Sequence, residues 1–283
     1  MVVDGVMPYT LKKVYCNMII TDFDKWVGYQ FGNKLLGVNN LIQLSNFYKQ
    51  DYYFTPFNGL EIFDIKTKTK DYNNEPYEKI DINLFIQNKD SIILDNNKFY
   101  YLEPCLIELF HEYNQLSTHE IFKIKEPISN TNKVVGIHYR GTDFKIWDDK
   151  CILPFDYYKD SIDFIINEIT DDFVFVLFTD DYSLDSFKQS VDYITSLGKN
   201  YELGNINNYL DDFKSLSECD YVISSPSTFC ITASFCGKKS KKIIHSYDFI
   251  MNYKNNTDYF RDIFWKKLLY FDQNSTYNLY KLI

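Results

Sequence analysis

Val14 to Thr21 (VYCNMIIT) is a short run of β-branched and apolar residues closed by Thr21-Asp22, the pattern of a buried strand. Asp22 to Gly32 is polar and carries two glycines, and from Asn33 the apolar positions Leu35, Leu36, Val38, Leu41, Ile42 and Phe47 recur at helical spacing. The chain therefore opens as strand, loop, helix. From Tyr52 to Asn97 the short apolar runs Leu60 to Ile65, Ile82 to Ile86 and Ile92 to Leu94 predict irregular strands. Tyr101 to Tyr113 predicts a helix, with Pro104 in the first turn, where its missing N–H is tolerated.

Lys123 to Asn132 (KIKEPISNTN) is polar, contains Pro127 and precedes a new apolar run, which sets a domain boundary near residue 128. The order after it predicts strand Lys133 to His138, a loop with Pro154, helix Phe155 to Glu168, strand Phe173 to Phe178 and helix Ser183 to Leu197. Helix Tyr209 to Cys219, strand Tyr221 to Ser224, helix Thr228 to Phe235 and strand Lys242 to His245 follow. Such alternation implies parallel strands with crossover helices, an α/β chain with an open doubly wound sheet whose ligands sit beyond the carboxyl ends of the strands.

Composition narrows the function. The 283 residues are 45% hydrophobic and 24% charged, which excludes a disordered or fibrous chain and gives room for two units. Lys plus Arg is 30 against 39 Asp plus Glu, a net charge of −9, so a nucleic-acid backbone surface is not expected and any anion must be held by a local cluster. The 25 Tyr and 24 Phe supply stacking faces for sugars or bases. Six scattered cysteines form no C-x-x-C pair, so no zinc module or disulfide framework is signalled and a reduced compartment is expected. The strongest apolar block, Phe173 to Phe178, is six residues against about 20 needed for a bilayer span, and no leader or anchor is read. The sequons at Asn255 and Asn274 are attributed to the Asn-rich composition.

Three strand ends carry the chemistry. The first runs into His138-Tyr139-Arg140-Gly141-Thr142-Asp143, where Arg140 offers fixed donors suited to phosphate and Asp143 either orients the guanidinium or fixes the loop. The second ends in Thr179-Asp180-Asp181-Tyr182-Ser183, whose carboxylates either cap the next helix or take ribose hydroxyls. The third, Ser224-Ser225-Pro226-Ser227-Thr228, opens a helix whose free N–H groups suit a phosphate. No G-x-G-x-x-G is present, and Gly237-Lys238-Lys239-Ser240 lacks the spacing of a P-loop. A nucleoside diphosphate held by an arginine and a helix N-terminus fits best.

At these residues the sequence resembles the inverting GDP-fucose fucosyltransferases, especially the α-1,2 enzymes of glycosyltransferase family 11, with kinship to the α-1,6 enzymes. Phe31-Gly32-Asn33-Lys34-Leu35-Leu36 is similar to their Gly-Asn-Gln-Leu-Phe loop, with Lys34 for the usual Gln. His138 to Asp143 is similar to His-x-Arg-Arg-Gly/Thr-Asp, with Gly141 for the second Arg. Leu153 to Tyr158 is similar to a Pro-x-x-Tyr-Tyr helix start, and Phe178 to Asp181 to a Phe-Ser-Asp-Asp strand end. Asp212 through Glu218-Cys219-Asp220 to Ser225-Pro226-Ser227-Thr228-Phe229 is similar to the last donor-site motif.

The resemblance implies a GT-B fold, two Rossmann-like halves with a cleft between them. Residues 1–128 would face the acceptor, 129–257 would hold the donor, and the helix 258–271 with the tail to 283 would pack back on the N-terminal half. It implies transfer of L-fucose from GDP-fucose to a glycan hydroxyl with inversion, in α-1,2 linkage, with no metal or other cofactor. Donor contacts would come from Gly32, Asn33, His138, Arg140, Thr142, Asp143, Asp180, Asp212, Ser225, Ser227 and Thr228. Partners would be the nucleotide sugar and the glycan, with no nucleic acid, in the cytoplasm or peripheral to a membrane carrying the acceptor.

Arg140 and the helix N-terminus would stabilise departing GDP. For the base, Asp148 lies eight residues after Arg140, where the α-1,6 enzymes carry a carboxylate, with Asp149 beside it and Asp22 and Asp24 as rivals from the acceptor side. Asp22-Phe23-Asp24 also has D-x-D spacing, the basis of a metal-dependent GT-A alternative. The third alternative is a glycan-binding module that keeps the pocket without the chemistry.

Overall fold

A computed structural model describes residues 18–25, 30–65, 77–80, 98–102, 121–127, 132–147, 152–237, 242–244 and 278–280. Two parallel sheets flanked by helices carry these residues, the α/β architecture expected from the alternation of apolar runs. The first has the order β2-β1-β4-β3, built from β1 (Met18–Thr21), β2 (Asp51–Phe54), β3 (Tyr77–Ile80) and β4 (Phe99–Leu102). Tyr101 and Leu102 are thus strand, not the start of a helix. Both lie in β4, which sits between β1 and β3, so sheet pairing prevails over local helical spacing there.

Helix α1 (Phe31–Tyr48) joins β1 to β2 and is buried nearly all round, Asn39, Asn40, Gln43 and Ser45 included. A helix with no wet face is a core helix. It ends where Lys49 takes a left-handed conformation (φ 54°) and returns its N–H to Asn46 O. Its start differs from the sequence reading, since Phe31 and Gly32 belong to the first turn rather than to the loop. The Phe31 ring packs edge-on to Phe213 and Tyr209, and that tertiary contact draws it into the helix.

The second sheet has the order β10-β9-β8-β5-β6-β7. Its strands are β5 (Lys133–Tyr139), β6 (Phe173–Thr179), β7 (Tyr201–Leu203), β8 (Tyr221–Ile223), β9 (Lys242–Ile244) and β10 (Asn278–Tyr280). Counted from β5 the order is 3-2-1-4-5-6, the doubly wound dinucleotide-fold order, and it reverses between β5 and β8. Helices α2 (Phe155–Glu168) and α3 (Asp185–Ser196) cover one face, where Tyr157, Tyr158, Ile162 and Phe187 pack on Val135, Ile137 and Tyr139. Helices α4 (Tyr209–Ser217) and α5 (Thr228–Phe235) cover the other and share a core with α1 and β1.

β7 was not foreseen, being three exposed residues at the sheet edge. β10 pairs with β9, so residues 278–280 extend the second sheet instead of packing back on the N-terminal half. The runs 82–86 and 92–94 and the proposed helix 258–271 lie outside the described residues. Among the described residues no helix is long and apolar enough to cross a membrane.

Candidate functional site

Strand alternation decides which side chains of β5 reach the ligand end. Val134, Gly136 and His138 face the α1, α4 and α5 side, while Val135, Ile137 and Tyr139 enter the opposite core. His138 therefore arrives at the carboxyl end of β5 beside β8, where the strand order reverses and ligands bind in such sheets. It is 4% exposed, and burial, then the nearby Arg140 charge, lowers its pKa to about 3. The ring is neutral at pH 7. Its Nδ1 is hydrogen-bonded to Ser225 Oγ at 2.6 Å, a bond that spans the reversal point, and the ring stacks on Phe229 at 5.7 Å.

Two tyrosines lock these strand ends from behind. Tyr157 donates its hydroxyl to Ser224 O at 2.7 Å and Tyr158 donates to His138 O at 3.2 Å. The sequence showed the Tyr-Tyr pair only as a helix start. Its structural use depends on α2 crossing under both strands.

Arg140 lies between two carboxylates, with Nη2 2.7 Å from Asp143 Oδ2 and Nη1 2.8 Å from Asp180 Oδ2. Asp180 also accepts from Gly141 N (2.8 Å), Thr142 N (3.4 Å) and Thr142 Oγ1 (2.7 Å). It fixes the guanidinium and the loop together, and these bonds occupy the oxygens that a ribose would need. Arg140 Nε is buried without a hydrogen-bond partner, and the two ion pairs engage Nη1 and Nη2 once each, which leaves a second N–H on each as a donor. Gly141 is explained by packing: a Cβ there would lie 2.9 Å from both methyls of Leu184 and 3.0 Å from Asp181 Cβ. An arginine at this position would displace Leu184.

The third strand end delivers α5. Ser227 caps it in an extended conformation with no side-chain hydrogen bond to the helix, so its hydroxyl is not consumed by capping. Gly32 closes on this turn, since a Cβ on it would be 2.5 Å from Phe229 N and 2.6 Å from the Thr228 carbonyl carbon. Only glycine permits that approach. α1 begins at the carboxyl end of β1 and α5 at that of β8, so this contact brings the carboxyl edges of the two sheets together. Asn33 and Lys34 come with Gly32, and Lys34 Nζ lies 5.6 Å from the centre of the Phe57 ring.

Asp212 on α4 is 8% exposed and accepts from Asn205 N at 2.5 Å. Burial, aided by Asp211, raises its carboxyl to about 6 against that hydrogen bond. On the first sheet, Asp22 Oδ1 accepts from Asp24 N (3.1 Å) and Thr55 Oγ1 (3.2 Å), and Oδ2 lies 3.3 Å from Lys25 Nζ. These bonds turn the Asp22 carboxylate toward Thr55 and Lys25. Asp148 and Asp149 lie outside the described residues.

His138 and Ser225 are thus joined across the reversal point, Arg140 links Asp143 to Asp180, which also holds Thr142, and Gly32 packs on the turn at Thr228 and Phe229. The reversed strand order and the helices on both faces of the second sheet define a doubly wound α/β fold. In fold the chain is similar to a structure of the R284K mutant of Arabidopsis thaliana FUT1 in complex with GDP, with a TM-score of 0.51 and 10% sequence identity. That likeness covers 82% of this chain and 69% of the other and is one of fold. No protein-family model and no curated protein matches the chain.

Proposed function

We infer that the chain is a GT-B glycosyltransferase that transfers L-fucose from GDP-fucose to a glycan hydroxyl with inversion, in α-1,2 linkage. The observation that carries this reading is the placement of the Arg140 guanidinium at the end of β5 and of the α5 N-terminus after β8, on the two strands that flank the order reversal, with Gly32 of the first sheet packed on that N-terminus. The GDP carried by the FUT1 structure of the same fold supports the choice of nucleotide, and the motif resemblance supports fucose.

In this reading the acceptor oxygen attacks the anomeric carbon as the bond from that carbon to the β-phosphate oxygen breaks. The bonding electrons leave on GDP, where Arg140 and the α5 N–H groups meet the developing charge. The acceptor proton passes to Asp148. His138 stays neutral and positions Ser225, and Asp143 and Asp180 hold Arg140 in place. The guanidinium and helix dipole do the work a cation does elsewhere, so transfer proceeds in EDTA.

The test is a thermal-shift screen of GDP, UDP, CMP and their sugars, because a ligand that binds only the folded state raises its apparent stability. GDP and GDP-fucose are expected to stabilise the chain while UDP-sugars do not. Equal stabilisation by UDP-glucose overturns the assignment. Hydrolysis of GDP-fucose without acceptor separates a transferase from a binding module that has lost the chemistry.

A further inference from the structure

Beyond the phosphate crevice, the carboxyl ends of β6 and β7 carry an aromatic ring with no place in the chemistry above. Tyr182 lies three residues past Thr179, the end of β6, and is 39% exposed. Phe187 backs its ring at 5.4 Å and 48°, and its hydroxyl reaches Gly204 O at a weak 3.5 Å. Gly204 lies on the other side against Asp212, because a Cβ there would be 2.6 Å from Asp212 Oδ1 and 2.7 Å from Phe178 Cδ1. One glycine thus separates an open aromatic face from a buried carboxylate. The ring is held in place yet not enclosed, whereas the tyrosines that serve packing here, Tyr157 and Tyr158, are fully buried.

We propose that the ring of Tyr182 is the stacking wall for the purine base of the nucleotide, a deepening of the reading above, on which it rests. In doubly wound sheets a nucleotide with its phosphates at the order reversal extends its nucleoside over the second strand end, which here is β6. The base then lies across the exposed Tyr182 face, which Phe187 backs and Gly204 O borders. The stacking energy comes from the π-face and not from the hydroxyl, so phenylalanine can replace tyrosine.

Calorimetric titration of the full chain and its Tyr182→Phe and Tyr182→Ala variants with GDP, and with inorganic pyrophosphate, tests this. Tyr182→Ala is expected to lose roughly ten- to a hundredfold in GDP affinity, the range of a lost base stack, while pyrophosphate affinity is unchanged. Tyr182→Phe should stay within about threefold of wild type for both ligands. Wild-type GDP affinity in Tyr182→Ala, or a parallel loss of pyrophosphate affinity, overturns the stacking role and leaves the nucleotide reading intact. A wild-type chain that binds pyrophosphate but not GDP overturns both.

Discussion

The carboxyl edges of the two sheets meet at Gly32, yet they are built differently. On the second, Arg140 is held by two carboxylates, Asp180 ties down Gly141 and Thr142, and a buried neutral histidine bridges β5 to the loop after β8. On the first, Thr21 Oγ1 closes onto Leu102 O at 2.9 Å, and the polar centre is a partly exposed Asp22 with Thr55 and Lys25 around it. Under the proposed function the difference follows charge. A diphosphate is best stabilised by donors already oriented when its charge grows, because reorientation during the reaction would consume that gain. In that reading a neutral sugar hydroxyl would place no such demand on the edge opposite.

If the acceptor proton passes to Asp148 rather than to the first edge, Asp148→Asn should lower turnover by roughly two to four orders of magnitude with GDP affinity unchanged. Asp22→Asn should stay within about tenfold. Initial rates from GDP-fucose decide between them, and a larger loss at Asp22 would move the base to the first sheet. Next in size, Arg140→Ala should cut transfer by roughly a hundred- to a thousandfold and weaken GDP binding, with the circular dichroism of the folded chain retained. Arg140→Lys should recover only part, since one ammonium cannot reproduce a forked contact. Wild-type transfer by Arg140→Ala would remove the contrast between the edges.

The smallest effect is on stability against pH. The folded His138 pKa of about 3 lies below its ordinary 6.5, so the unfolded chain takes up that proton first and the His138 contribution falls as pH drops through this window. The folded Asp212 pKa of about 6 lies above its ordinary 3.8, so the folded chain takes up that proton first and the Asp212 contribution rises over the same drop. The two oppose each other in wild type. Relative to it, Asp212→Asn should lose stability more steeply on acidification from about pH 6 to 4, and His138→Asn less steeply, by at most about 1.4 kcal/mol per pH unit each. Urea midpoints across that range measure both slopes, and parallel curves for the three proteins would show that neither group is titrating as its burial requires.

Elements whose apolar spacing agrees with their environment could be read from the chain alone. Phe155–Glu168 and Thr228–Phe235 form over the residues their periodicity marks, and the strands read over 133–138 and 221–224 form within one residue of those bounds, as Lys133–Tyr139 and Tyr221–Ile223. Order along the chain also sufficed for the parallel α/β class, because alternating strands and crossover helices leave few other arrangements. Residues whose state depends on a distant partner were not legible in this way. Phe31 and Gly32 become helical through Phe213 and Phe229, Tyr101 becomes strand between β1 and β3, and β7 exists only as an edge on β6.

The site divides along the same line. Residue types and local order marked His138, Arg140, Asp180 and Ser225 as candidates, since a strand end followed by polar residues is a local pattern. Which of them would touch ligand, and which would hold a neighbour, came from packing: Asp180 turns to Arg140 and the 141–142 backbone, Tyr157 and Tyr158 reach the strand ends, and Gly141 is small because Leu184 fills its space. Periodicity and motif are properties of neighbours in sequence, whereas a hydrogen-bond partner or a close approach is a property of neighbours in space, and these pairs lie far apart along the chain.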